Sequence, residues 1–239
     1  MKEHEKIINK IAKIVLEPEG IFRIGSSRIR IDDNGWFFIV IEFQPSNYSK
    51  GTYLNVGINF LWESTAALNE ILSFNYGGRV EYDFAEYSDA DEKEVNSFFQ
   101  NEVETYTNVA LEKTKEYRKF SNLDYAKEKL RELLENTEKN RVFWEIYNYA
   151  MLCLLKGDFQ EGTKYFYVFL DQLKNSFFIN NHYINWHEEL YNHCIEQIVP
   201  QLQNATMAQS MVVDMINRRR NYFSSKSSYK KMSKTPFEI

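Results

Sequence analysis

Between Ser27 and Glu63 the chain reads SRIRIDDNGWFFIVIEFQPSNYSKGTYLNVGINFLWE, and this stretch limits the fold more than any other. Trp36 to Phe43 is an apolar and aromatic run that gives way to polar residues at Glu42 and Gln44, as expected of a central strand buried on both faces. Tyr53 to Trp62 alternates, with Leu54, Val56, Ile58, Phe60 and Trp62 on one face and Asn55, Gly57 and Asn59 on the other. Asn34-Gly35 between Asp32 and Trp36 is a tight-hairpin signal, because both central positions of a type I′ turn need positive φ. Gln44 to Gly51 is a longer loop.

The flanking residues complete a sheet. Phe22 and Ile24 begin a strand that Ile29 and Ile31 continue after Gly25-Ser26. Beyond a helix or loop near 64–73, Gly77-Gly78 precedes RVEYDF, where Val80, Tyr82 and Phe84 oppose Arg79, Glu81 and Asp83. Upstream, Ile7, Ile8, Ile11, Ile14 and Val15 form one helical stripe, ended by Pro18-Glu-Gly20. The expected architecture is α+β: an N-terminal helix packed on a four-stranded antiparallel sheet, then a mostly helical half of stacked antiparallel helices. The expected boundaries are 1–90 for the sheet domain, 91–222 for the helical region and 223–239 for a basic, flexible tail.

In the helical half, Val95, Phe98, Phe99, Val103, Tyr106, Val109, Ala110 and Tyr117 imply one long helix, with Asp89 and Asp91 at its start. Leu123, Ala126, Leu130, Leu133 and Leu134 define the next. The segment from Ile146 through Gly157-Asp158-Phe159 to Phe166 resembles a tetratricopeptide hairpin, with Ala150 in the small slot and Gly162 where that family places Ala. Phe120 to Ala126 looks like part of a preceding unit, close to the ~34-residue period of such repeats. Further helices follow at about 183–199, stopped by Pro200, and at 205–221.

Nine Gly and four Pro in 239 residues argue for long helices and few irregular loops. Cys153 and Cys194 lie far apart without ligand-like spacing and read as buried free thiols in a reducing compartment. No signal-peptide pattern and no bilayer-length apolar run occurs, so a soluble, cytoplasmic protein without membrane contact is expected. The net charge of −5 is uneven: residues 215–239 hold seven basic residues and one acid, leaving 22 basic and 33 acidic residues elsewhere. An acidic body suits basic partners, and the tail could touch phosphate or lie back on that body.

The first 120 residues resemble an uncharacterised family of bacterial proteins with the pattern SR…EFQPS…KG-x-YLNVG…LW and a later RV. The matching residues are Ser27-Arg28, Asp32, Trp36, Glu42 to Ser46, Lys50-Gly51, Tyr53 to Gly57, Leu61-Trp62 and Arg79-Val80. Arg30 and Phe37 stand where that family usually has Trp. The resemblance implies bacterial origin and a shared fold, and it implies no activity.

Candidate chemistry is sparse. Arg28, Glu42, Gln44, Lys50 and Asn55 could gather near strand ends and hold an anionic or zwitterionic ligand. Alternatively Arg28 pairs with Glu42 across strands and Asn55 caps loop backbone. His182, His187 and His193 lie near Glu188 and Glu189, but the spacing is not that of a metal site; Glu189 and His193 read as a surface pair. No GxSxG, P-loop or GxGxxG motif is present, so neither a cofactor nor a catalytic residue is indicated.

Three functions follow. The first is a non-catalytic protein-interaction module, including an immunity-type protein neutralising a basic toxin, with Tyr147, Tyr165, Tyr167, Tyr183 and Trp186 as its contact surface. The second is a small-ligand or enzymatic site on the sheet edge. The third is nucleic-acid contact through Arg218, Arg219, Arg220, Lys230 and Lys231, interleaved with aromatic residues.

Overall fold

The computed structural model describes residues 2–47, 50–62, 72–87, 93–136, 143–179 and 182–239. It is α+β, with an N-terminal helix, an antiparallel sheet and a helical C-terminal half. Among the described residues no helix is long and apolar enough to cross a membrane. The chain groups into two compact units: residues 1–59, 72–118 and 224–233, and residues 60–71, 119–223 and 234–239.

The sheet unit is a five-stranded antiparallel meander: β1 (Phe22–Arg23), β2 (Ile29–Asp33), β3 (Phe37–Pro45), β4 (Gly51–Phe60) and β5 (Tyr76–Glu86). The expected four strands become five because 22–31 is not one strand. The chain reverses between Ile24 and Ile29, where the Ile24 N–H donates to the Ile29 carbonyl, and β1 pairs with β2 through Phe22–Ile31 and Arg23–Arg30. The next hairpin forms as expected but turns one residue later. The Asn34 N–H donates to the Phe37 carbonyl, leaving Gly35 and Trp36 at the tip with Gly35 at φ 84°.

Burial of β3 on both faces is found: Phe37 to Ile41 and Phe43 are all at most 1% exposed. Neighbouring β4 is covered on its Asn face too, with Asn55 and Asn59 buried beside Leu54, Val56 and Ile58. The Asn59 amide is anchored through its nitrogen: Nδ2 donates to Ser73 Oγ at 3.0 Å and Asn75 Oδ1 at 3.3 Å. These bonds offset part of the cost of burying the amide, which is about 1–3 kcal/mol when a group is left unsatisfied.

Two helices cover one face. In α1 (Glu3–Leu16) the stripe Ile8, Ile11, Ala12 and Leu16 is buried, while Ile14 stays exposed. The long helix expected after the sheet is α2 (Lys93–Tyr117), which packs on α1 and reaches β3 and β5. Its expected start at Asp89 and Asp91, most of the 64–73 segment and the Tyr82 side chain lie outside the described residues. Beyond α2, Arg118 forks onto Asp32, with Nε and Nη2 donating to Oδ2 at 2.9 Å and Oδ1 at 3.0 Å. This bidentate pair holds the Arg118 guanidinium above its usual pKa and ties residues at the end of β2 to the end of α2.

The helical unit contains α3 (Leu123–Asn136), α4 (Phe143–Lys156), α5 (Phe159–Asn175), α6 (Asn185–His193) and α7 (Ala205–Ser224). A short hairpin, β6 (Phe178–Ile179) with β7 (His182–Tyr183), precedes α6 and was not anticipated. Helices α4 and α5 form the expected antiparallel pair, turned at Gly157-Asp158, whose N–H groups donate to Leu154 and Cys153 carbonyls. Gly162 is set by the closeness of this packing: a Cβ there would lie 2.7 Å from Leu154 Cδ2. Trp62 belongs to this unit; its Nε1 donates to Asn148 Oδ1 at 3.0 Å and its carbonyl accepts from Tyr147 Oη at 2.9 Å.

The tail expected to be flexible is seated instead. Tyr229 and Met232 are 2% and 4% exposed, and the Gly25 N–H donates to the Ser228 carbonyl within the sheet unit. Two apolar side chains in an otherwise polar segment suffice to anchor it.

One residue tests the sheet packing. Gly77 in β5 has φ 76°, and a Cβ there would sit 2.5 Å from Tyr117 Oη and 2.9 Å from the Val56 carbonyl. Gly77→Ala is expected to destabilise the protein by about 2–3 kcal/mol, read as a lowered midpoint in urea. A change under about 0.5 kcal/mol would contradict this packing.

Candidate functional site

Register decides which of the five sheet candidates meet. Ile29 pairs with Glu42 and Arg30 with Ile41, so Glu42 and Gln44 occupy the face opposite Arg30. Asn55 of β4 joins them: its Nδ2 donates to Glu42 Oε2 at 3.0 Å and to Gln44 Oε1 at 2.8 Å. Between Tyr53 and Asn55 the β4–β5 register shifts, which sets Arg79 opposite Asn55. Arg79 Nη2 donates to Gln44 Oε1 at 2.9 Å while its guanidinium lies 4.0 Å from the Tyr53 ring centroid. Arg79 is the member of this network that sequence reasoning missed, because the register shift that delivers it has no sequence signature.

The other two candidates lie elsewhere. Arg28 does not pair with Glu42: its Nη2 donates to Glu5 Oε1 of α1 at 2.9 Å, and this bond holds the Glu5 carboxyl below its usual range. The reason is geometric: Arg28 shares the sheet face of Arg30, opposite Glu42, and that face is the one on which α1 presents Glu5. Lys50 is exposed at the loop, where its carbonyl accepts from the Tyr87 N–H. The amide of Asn55 thus spends both its protons on Glu42 and Gln44, an arrangement that fixes strands rather than one waiting for a ligand.

A second polar cluster joins α3 to the α4–α5 turn. Lys127 Nζ lies 2.6 Å from both Asp158 Oδ2 and Glu161 Oε2. Tyr149 Oη donates to Glu161 Oε1 at 2.6 Å and accepts from Arg131 Nη2 at 3.0 Å. The Lys127 hydrogen bond lowers the Asp158 pKa. Burial pushes Glu161 upward, but the bonds from Lys127 and Tyr149 outweigh it and leave its pKa lowered. Burial raises the Tyr149 phenol, and it pushes the neighbouring Cys153 thiol up to about 12. A protonated, fully buried thiol is a poor nucleophile, so this cluster braces a helical hairpin.

The histidines separate. His187 is 3% exposed, with Nδ1 2.8 Å from both the Ser176 carbonyl and Oγ. Glu189 bonds Asn185 rather than His193. Among the described residues no group of acidic, His and Cys side chains is placed to hold a metal ion.

The aromatic surface is partly as expected. Tyr183, Trp186 and Tyr167 are 46%, 49% and 49% exposed. Tyr147 is corrected to core, being 2% exposed with its hydroxyl spent on Trp62, and Tyr165 packs edge-on to Tyr149 at 4.8 Å. The unanticipated member is Trp144, 38% exposed at the start of α4, whose ring is nearly parallel to Trp186 at 6.4 Å between centroids. Phe143 supports both rings from below, at 5.1 Å and 6.2 Å, and packs edge-on to His187. Phe178, 65% exposed, stacks obliquely on Tyr183 across the β6–β7 hairpin.

Of the basic candidates, Arg219 and Arg220 are 1% and 5% exposed, and the Arg219 guanidinium lies over the Phe223 ring. Arg218 is exposed, as are Lys230 and Lys231. Lys231 lies 3.2 Å from Glu17, so the tail does lie back on acidic surface. With two guanidiniums inside and one lysine paired, the expected phosphate-binding array is not presented together.

The Asp158 and Glu161 shifts carry a sign. A carboxylate with a lowered folded pKa contributes stability above its unfolded value of about 4, and that stability is lost as pH falls through the folded pKa. The thermal midpoint is therefore expected to drop on acidification below pH about 4, and Lys127→Met is expected to flatten that drop. An identical acid profile in Lys127→Met would show that the pair carries none of it.

Scans of family profiles, curated proteins and solved structures find no match to this chain.

Proposed function

We propose that the helical unit is a non-catalytic protein-docking module that takes a basic partner on the face built from Trp144, Trp186, Tyr183 and Phe178. The carrying observation is the Trp144–Trp186 pair: two indoles 38% and 49% exposed, held nearly parallel on a floor of Phe143. Large aromatic side chains left outside a core are the residue type most enriched at binding hot spots. They are also preorganised, because Trp144 packs against Phe143 and Phe169 and Trp186 against Phe143, which restricts their rotamers.

Charge favours the sign of the partner. Residues 182–198 carry Glu188, Glu189 and Glu196 with no Lys or Arg, and Glu145 follows Trp144 directly. A Lys or Arg side chain set against these rings would gain cation–π attraction and meet carboxylates at once. Neutralisation of a basic toxin is one form such docking takes, and it draws support from the same face.

Trp144→Ala combined with Trp186→Ala tests the reading. Wild-type protein is expected to recover one specific basic protein from its native host, and binding of that purified partner should weaken at least ~30-fold in the double variant. Recovery of no specific partner, or equal affinity in a double variant that melts normally, would overturn it.

A further inference from the structure

Helix α7 lines a cleft of about 430 Å³ within the helical unit, a volume in the range of small-molecule sites. Met207, Met211 and Met215 recur every fourth residue, so they form one row along the helix, and Arg219 closes it. This row is the floor: Met211 and Met215 are each 9% exposed and Arg219 1%. A parallel outer row ends in Ser210, Asp214 and Arg218, all exposed. The opposite wall comes from His193 and Gln197, on a segment where the helix widens into a π-turn over Cys194–Ile198. Single π-turns inside helices recur at functional sites.

The cleft is chemically graded along its length. Its floor is thioether, polarizable and adaptable to irregular apolar shapes. At its far end the lining carries Arg218, Arg219 and one acid, Asp214; the Arg219 guanidinium is buried over the Phe223 ring, Glu196 lies near enough to His193 to act on it, and Arg218 is the exposed cation. His193 stands at that same end, since burial and then the Arg218 charge depress its pKa. None of the exposed aromatic residues of the docking face lines this cleft.

We infer that the cleft binds a small amphipathic monoanion, an apolar body lying on the Met207–Met211–Met215 floor with one carboxylate or sulfonate head at Arg218. The guanidinium supplies a planar pair of donors to such a head. Aliphatic chains match the floor because methionine side chains adjust to them without fixed shape. Nothing in this site depends on the docking face, and either can fail without the other.

Isothermal titration calorimetry of the whole chain with decanoate, below its micelle concentration, tests the inference. Saturable one-site binding is expected, with little or none for decyltrimethylammonium. Arg218→Gln, at an exposed position, is expected to weaken decanoate by about tenfold or more, the loss of a charge-assisted hydrogen bond. Arg218→Lys should retain most of the affinity. Ser210→Trp, also exposed, is expected to fill the cleft and abolish binding, whereas Trp144→Ala with Trp186→Ala should leave it unchanged. Absence of saturable binding, equal binding of the cationic amphiphile, or decanoate affinity unaltered in both Arg218→Gln and Ser210→Trp would overturn the site.

Discussion

Burial of β3 on both faces is the constraint from which the sheet unit follows. A strand whose consecutive residues Phe37 to Ile41 all leave water needs cover above and below, so its neighbours cannot be ordinary half-exposed strands. On one face α1 and α2 supply that cover. Beside it in the sheet, β4 is likewise buried through Leu54, Val56 and Ile58, and its Asn55 is drawn into hydrogen bonds with β3 side chains. The Glu42–Gln44–Asn55–Arg79 network is the outcome, with each donor directed at an acceptor inside the same sheet face. Of its members only Asn55 is buried, Glu42 and Gln44 are half-buried and Arg79 is exposed, so residues that look functional in a sequence can instead be ties between strands.

The helical unit solves the opposite problem. Its α4 is buried continuously from Ile146 to Leu155, too apolar to stand in water, and α5 closes on it at the distance Gly162 allows. The charges at the turn are spent on one another through Lys127, Asp158 and Glu161. What the unit leaves over is apolar surface at one end of α4 and a methionine-floored cleft along α7. These two features have different chemistry, one flat and aromatic, the other concave and graded from thioether to guanidinium. The proposed macromolecular contact rests on the first and the inferred small-anion site on the second.

Much of this was legible in the sequence where one physical signal dominates. The apolar run at β3, the 3.6-residue spacing of α2 and the Gly157-Asp158 turn each left one arrangement open, and each is found. The sequence misled where two signals compete. Ile24 and Ile29 both favour strand, yet the short turn between them splits β1 from β2. Arg28 carries no mark of which sheet face it takes; the register turns it away from Glu42 and toward Glu5 of α1. Tyr147 and Trp144 sit three residues apart on α4; composition gives no reason for the first to be core and the second surface. The methionine row was hidden for a related reason, since methionine at helical spacing ordinarily means core.

The π-turn at Cys194–Ile198 has a consequence for how the two cleft walls stay in line. Along an ordinary α-helix, every fourth residue drifts by about 40° around the axis, so a four-residue row winds away from a straight neighbour. A wider turn, bonding one residue further along, takes back part of that drift. Leu190, Cys194 and Ile198 accordingly all point inward at strict four-residue steps, at 6%, 0% and 2% exposure. His193 and Gln197 share the same step on the adjoining flank. The local widening acts as a phase correction, keeping one wall abreast of the methionine row for longer than two regular helices would. Deleting a single residue there would put every later side chain of that wall out of step.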